Sequence, residues 1–161
     1  MGGRGVAEIA PRVATGDGLA TRLLPGTVGR FARTFGDVEG APELVGRFWA
    51  GVGRILRGQI RTGVQDVRGA LFEMRAALEF GPDSVVAFGR EGDILLRSDA
   101  LIEAKSGGSL FVGAGKMGQF GKYIQLRNSG EISDLVYFFG RDPDLRPVEL
   151  LYRHGVDWYM I

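Results

Sequence analysis

Residues 92–108 read GDILLRSDALIEAKSGG. The stretch holds two apolar runs, GDILLR and ALIEAKS, separated by polar residues. The second run breaks into charge at Glu103 and Lys105. Side chains two apart on a strand share a face. A carboxylate and an ammonium therefore stand side by side on a strand whose other residues are those of a core.

The turn decides what else joins them. A three-residue loop, Arg97–Ser98–Asp99, pairs Leu96 with Ala100 and Asp93 with Glu103. A two-residue loop sends Asp93 to the opposite face. Three-residue hairpins commonly end in a left-handed residue, which Asp tolerates. The sequence permits a paired Asp/Glu site and does not force one. Two such carboxylates repel, and burial raises a pKa unless a cation sits between them. A divalent metal resolves that conflict, and all-oxygen ligation selects Mg²⁺ or Mn²⁺ over zinc. Lys105 then stands beside the metal-bound water. Metal and activated water are the chemistry of phosphodiester hydrolysis.

Outward from the hairpin, SVVAFGR before it forms a further strand, so three strands make an antiparallel meander. Upstream, a helix is expected over about Val64 to Phe80. Val64, Val67, Leu71, Met74 and Leu78 form its apolar stripe. Arg68, Arg75 and Glu79 fall on the outer face, while Glu73 falls beside Ala70, Ala77 and Phe80, flanking the packed side. Downstream, a Gly-rich loop leads to the helix KMGQFGKYIQLRN. There Lys116, Gln119 and Tyr123 share a face. DLVYFFG is a strand buried on both faces, VELLYRHG a short helix and VDWYMI a last strand. The order is that of an α/β sandwich with a mixed sheet.

The motif set now resembles a known family. The pattern of Gly92–Asp93, nine residues, then Glu103–Ala104–Lys105 is similar to the core of the PD-(D/E)XK nuclease superfamily, the restriction-endonuclease-like α/β/α fold. RGALFEMRAALEF resembles the helix that precedes its meander, with Glu73 in the place of a helix glutamate. The resemblance covers roughly residues 66–140. It implies metal binding by Asp93 and Glu103, with Glu73 assisting and the Ala104 carbonyl as a further ligand. It implies that Lys105 serves the attacking water, and that Lys116, Gln119 or Tyr123 from the following helix adds to the site. The motif's proline is absent here, with Gly92 in its place, and Ala104 stands where Val or Ile is usual.

Within the superfamily, the set FE…GDILL…IEAKSG…K-x2-Q-x2-KY most resembles the C-terminal toxin domains of bacterial polymorphic and contact-dependent inhibition systems. That implies a DNA or tRNA substrate and a dedicated immunity protein as partner. It also implies delivery as part of a larger toxin, with action in the target cell's cytoplasm. The alternatives are a cytoplasmic DNA-processing endonuclease of restriction, repair or junction-resolving type, and a non-catalytic module that keeps the fold.

Composition narrows the other classes. Cysteine is absent and His154 is the single histidine. Thiolate chemistry, disulfides and multi-histidine metal sites are thereby excluded. His154 is expected on the surface. Net charge is +1, so no strong field recruits a polyanion. Residues 1–60 hold eight Arg against five Asp/Glu, and residues 61–161 hold twelve Lys/Arg against fourteen Asp/Glu. The acidic surplus falls with the hairpin. Residues 1–60 are expected to be a Gly/Arg-rich helical leader or linker, and 61–161 the nuclease domain. Within the leader, Val45, Phe48, Trp49, Val52, Ile55 and Leu56 recur at helical spacing. Trp49 and Trp158 are expected to be core or half-buried. Gly115-Lys116-Met117 lacks the Ser/Thr of a phosphate loop. No apolar run has the length of a membrane span, so no membrane anchor is expected. The N-terminus lacks a signal peptide's apolar core, so any export signal is expected outside this chain.

Overall fold

A computed structural model of the chain describes residues 25–107 and 114–161. The element order is α1 (Pro25–Phe35), α2 (Ala41–Leu56), α3 (Ile60–Phe80), β1 (Val85–Phe88), β2 (Ile94–Leu96), β3 (Ala100–Lys105), α4 (Ala114–Asn128), β4 (Asp134–Phe139), α5 (Leu145–Arg153) and β5 (Asp157–Met160). The five strands form one mixed sheet in the order β1-β2-β3-β4-β5. β1, β2 and β3 are antiparallel neighbours, as a meander must be, and β4 and β5 run parallel to β3. Each parallel step crosses through a helix, α4 and then α5.

Two cores lie on the two sheet faces. On one, α1, α2 and α3 pack against Ile94, Ile102, Ala104 and Phe138. On the other, Phe120 and Tyr123 of α4 and Leu151 of α5 pack against Leu101, Leu135, Tyr137 and Phe139. The alternation along β3 produces this division: Ala100, Ile102 and Ala104 point one way, and Leu101 points the other with Glu103 and Lys105. β3 and β4 are covered on both faces, which is why DLVYFF carries no polar alternation.

The boundary expected at residues 60/61 falls in the first turn of α3, and α2 and α3 share one core with the sheet. Phe31 and Phe35 of α1 meet Phe88 of β1 edge-on, with ring centroids 5.1 and 5.4 Å apart. The Phe88 N–H donates to Glu39 O at 2.8 Å, so the α1–α2 turn covers the free edge of β1. Residues 1–24 of the expected leader lie outside the described residues. α2 and α3 form an antiparallel hairpin in which Gly63 packs against Gly51. A Cβ on Gly63 would lie 2.6 Å from Gly51 O.

Two expectations about the helices need correction. Arg75 is buried, at 6% exposure, instead of lying on an outer face. All residues from Ala70 to Ala77 are buried, because α1, α2 and the sheet together surround this part of α3. Trp49 is 56% exposed and Leu56 82%. The face of α2 that packs is Ala41, Leu44, Phe48 and Gly51, and both residues lie off it. Trp158 is half-buried and His154 exposed, as expected. No helix among the described residues is long and apolar enough to cross a membrane.

Candidate functional site

The hairpin register sets the site. Ile94 pairs with Ile102 and Leu95 with Leu101, so Leu96 stands opposite Ala100 and Asp93 opposite Glu103. Arg97, Ser98 and Asp99 form the three-residue loop. Asp99 is the one non-glycine at positive φ among the described residues, at 63°, and its N–H donates to Leu96 O at 2.9 Å. The odd-length turn that the sequence permits is the one that forms.

Asp93 precedes β2 and is half-buried. Its Oδ2 accepts the Ala104 N–H at 2.7 Å. In a regular ladder that donor faces a backbone carbonyl, so the side chain closes the pairing where β2 begins. A strand residue's C=O leaves on the same edge as its N–H, so the Ala104 carbonyl also faces the Asp93 side. The residue before Asp93 is fixed sterically. A Cβ on Gly92 would lie 2.9 Å from Leu101 Cδ1, so a larger residue there would have to displace the Leu101 side chain.

Glu103 is 1% exposed. Lys105 pairs with its Oε1, and the Tyr123 hydroxyl donates to its Oε2 at 3.0 Å. Gln119 Nε2 in turn donates to the Tyr123 hydroxyl at 2.8 Å. α4 therefore delivers a two-residue relay onto the buried carboxylate. Tyr137 stands beside Glu103 in the β3–β4 register and forms a further wall. Burial, then the charges of Glu103 and Asp93, push both tyrosine hydroxyls well above the ordinary phenol range. They remain neutral donors.

Glu73 approaches from α3, and its Oε1 accepts from Arg47 Nη2 of α2. Burial raises its carboxyl; Arg47 lowers it and the Glu103 charge raises it again. Asp93 is pushed well above the ordinary carboxylate range by burial and by the charges of Glu73 and Glu103, against the pull of Lys105 and the Ala104 N–H. Burial draws the Lys105 ammonium down, but Glu103, Asp93 and Glu73 outweigh it and hold its pKa above the ordinary lysine value. Lys105 is thus a fixed cation, able to donate hydrogen bonds and unable to accept a proton near neutrality.

Of the residues expected in the site, Glu73, Asp93, Glu103 and Lys105 fall within one another's fields, and Gln119 joins through Tyr123. The side chain of Lys116 and the Gly-rich residues 108–113 lie outside the described residues. Among the described residues, no three Asp, Glu or His side chains gather into a metal cage. The hairpin offers two carboxylates and one carbonyl, hard oxygens of the kind that Mg²⁺ or Mn²⁺ takes, with Asp93 Oδ2 and both Glu103 oxygens engaged by protein donors.

Arg47 is not among the residues that the sequence points to as part of the site. A signal was present. Arg47 and Arg54 stand seven apart on α2, and Asp66 and Glu73 stand seven apart on α3. The structure pairs Arg54 with Asp66 as it pairs Arg47 with Glu73. No protein-family model, curated protein or solved structure matches the chain.

Proposed function

We propose that the chain is a divalent-metal-dependent endonuclease of the PD-(D/E)XK type, hydrolysing phosphodiester bonds in DNA or RNA. The observation that carries this reading is a fully buried Glu103 held between Lys105 and Tyr123, opposite a second acid whose ionisation its surroundings oppose. Apolar residues of similar size would stabilise such a position as well or better. Burial and neighbouring charges raise the Asp93 and Glu73 carboxyls, and acids so displaced cluster at functional sites. That argues against a non-catalytic module. The mixed sheet with helices on both faces supports a restriction-endonuclease-like arrangement.

Asp93, Glu103 and the Ala104 carbonyl would hold Mg²⁺ or Mn²⁺, with Glu73 in support. When bound, the ion polarises the scissile phosphate and lowers the pKa of a coordinated water. Lys105, permanently charged, donates to the attacking water or to a phosphate oxygen. Tyr123 and Gln119 hold Glu103 in one rotamer. As the motif set implies, Lys116 or Gln119 would contact the scissile phosphate.

The motif set supports a narrower form, a toxin domain of a bacterial competition system that cleaves DNA or tRNA in the target cytoplasm and is neutralised by an immunity protein. The near-neutral charge is less suited to a sequence-tolerant DNA-processing enzyme, which generally depends on a basic surface. The test is a Mn²⁺ titration with cleavage of DNA and tRNA by wild type, E103A and K105A. Uptake of metal, with cleavage lost in both variants, is expected. Absent metal binding, or variants that cut like wild type, would sink the nuclease reading. Expression in bacteria without growth arrest would sink the toxin form alone.

A further inference from the structure

The two edges of the sheet are finished differently. The α1–α2 turn covers β1, whereas β5, the other edge strand, has no described segment paired along its outer side. Which of its backbone groups face outward is fixed. Ile161 N–H donates to Phe139 O at 2.9 Å, so Asp157, Tyr159 and Ile161 bond toward β4. The N–H and C=O groups of Trp158 and Met160 therefore point away from the sheet. Beyond its short length and Asp157 at its start, β5 lacks the devices that protect an open edge: it has no Lys, no Pro and no bulge. The surface beside it is largely apolar. Met160 is 45% exposed, and Tyr152 of α5 is 85% exposed. Tyr152 lines a cleft of about 340 Å³ with Val148, Glu149, Val156, Asp157 and Trp158. Trp158 and Met160 alternate with Tyr159 and so share one face of β5, the face that α5 covers.

We propose that β5 is a self-association edge, to which a second copy of the chain adds its own β5 antiparallel, across a two-fold axis at Tyr159. The strand itself selects this occupant. A two-fold at Tyr159 sets Trp158 opposite Met160 of the second copy, so the outward N–H and C=O groups of both strands all find partners. A two-fold at Trp158 would set Met160 opposite Val156, whose N–H already goes to Leu151 O at 2.9 Å. Opposite residues of a pair share a face. The exposed Met160 of one copy therefore lies on Trp158 at the wall of the other copy's cleft, a thioether against an indole. Asp157, the one charged residue of β5, falls opposite Ile161, so no like charges meet. The contact is isologous and closes at two copies. Two short strands and two small clefts bury less than a standard interface, so a dissociation constant on the order of 10–100 μM is expected. The pairing does not depend on the chemistry of the hairpin.

The experiment is sedimentation equilibrium of the full chain from about 5 to about 500 μM, which brackets that constant. Wild type is expected to pass from monomer to dimer. M160P removes an outward N–H and no hydrogen bond of the fold, and is expected to weaken the dimer more than about tenfold. M160K brings a charge to the apolar cleft, is expected to weaken it similarly, and serves where M160P does not fold. L56E, at another exposed apolar residue, 82% exposed on α2, is expected to dimerise as wild type does. The register has its own readout. The chain has no cysteine, so Y159C carries a single thiol. A pair without hydrogen bonds between its two residues holds their Cα atoms about 4.5 Å apart, within disulfide reach. Y159C is expected to oxidise to a covalent dimer, and M160C, which faces Trp158 instead of its own copy, is not. Wild type that stays monomeric throughout overturns the proposal, whether other residues of the chain or a different protein cover the edge. So does a dimer that M160P and M160K leave intact, or that L56E weakens as much. Cross-linking of Y159C no better than M160C overturns the two-fold at Tyr159.

Discussion

The Asp93 carboxylate accepts the backbone N–H of Ala104 at 2.7 Å, taking the place of a ladder partner where β2 begins. Asp93 is thereby bound to the strand that carries Glu103 and Lys105. The hydrogen bond fixes the acid's position while burial and two neighbouring carboxylates oppose its charge. Position and charge are separable, because an amide oxygen can accept the same hydrogen bond.

D93N is accordingly expected to stabilise the metal-free protein, by about 1 kcal/mol or ~2–4 °C in melting temperature for a chain of this size. On the proposed metal-site reading, the same change is expected to abolish stabilisation by Mn²⁺, since it removes a ligand charge. Thermal melts with and without Mn²⁺ read both effects. A lower melting temperature in the absence of metal would show that the Asp93 charge is compensated and that the site is not strained by repulsion.

Y123F leaves Glu103 Oε2 without the hydroxyl donor that reaches it at 3.0 Å. Glu103 is buried, so an unsatisfied acceptor there is expected to cost about 1–3 kcal/mol. Q119A removes a donor to a neutral hydroxyl at a half-buried position and is expected to cost under about 1 kcal/mol. Urea unfolding separates the two. Equal costs would mean that the relay does not act through Glu103.

The difference between these side chains also shows what the sequence made legible. Asp93, Glu103 and Lys105 are local: turn length and a period of two decide whether they meet, and residues 92–108 contain that information. Gln119 and Tyr123 were legible as a helix face, but the donation from Tyr123 to Glu103 depends on how α4 lies on the sheet. Arg47 reaches Glu73 across a helix hairpin, a contact that helical periodicity within α2 does not determine. Arg75 was misplaced for a related reason. A helical wheel assigns inside and outside to a helix packed on one side, and α3 is packed on several.

The hairpin contact makes its own prediction. Alanine favours a helix over glycine by about 1 kcal/mol, yet a Cβ on Gly63 would lie 2.6 Å from Gly51 O and 2.7 Å from Ile55 Cγ1. α2 and α3 must separate to accept it. G63A is expected to lose about 2 kcal/mol net. Gly118 of α4 has nothing within 4 Å of where its Cβ would sit, so G118A is expected to gain up to about 1 kcal/mol. Urea midpoints of the two variants should move in opposite directions. A stabilised G63A would show that the helices are not in close contact there.

The displaced carboxyls fix a pH dependence. The Asp93 pKa is raised well above 3.8 in the folded protein. Between 3.8 and that raised value, the native state keeps a proton that the unfolded chain has released. Stability changes with pH in proportion to protons bound unfolded minus protons bound native. That difference is negative, so Asp93 makes the metal-free protein less stable as pH rises through the window. Glu73, raised from 4.5, acts in the same sense. The stability advantage of D93N over wild type is therefore expected to be smallest below about pH 4, to widen as pH rises, and to level off above the raised pKa. On the proposed metal-site reading, saturating Mn²⁺ is expected to oppose the trend in wild type, because a metal takes the deprotonated acids and is held more tightly as pH rises. Urea unfolding of both proteins across this range, with and without Mn²⁺, measures the gap directly. A gap that stays constant with pH would mean that the Asp93 carboxyl titrates alike in the folded and unfolded chain, and that its neighbours exert no net pressure on it.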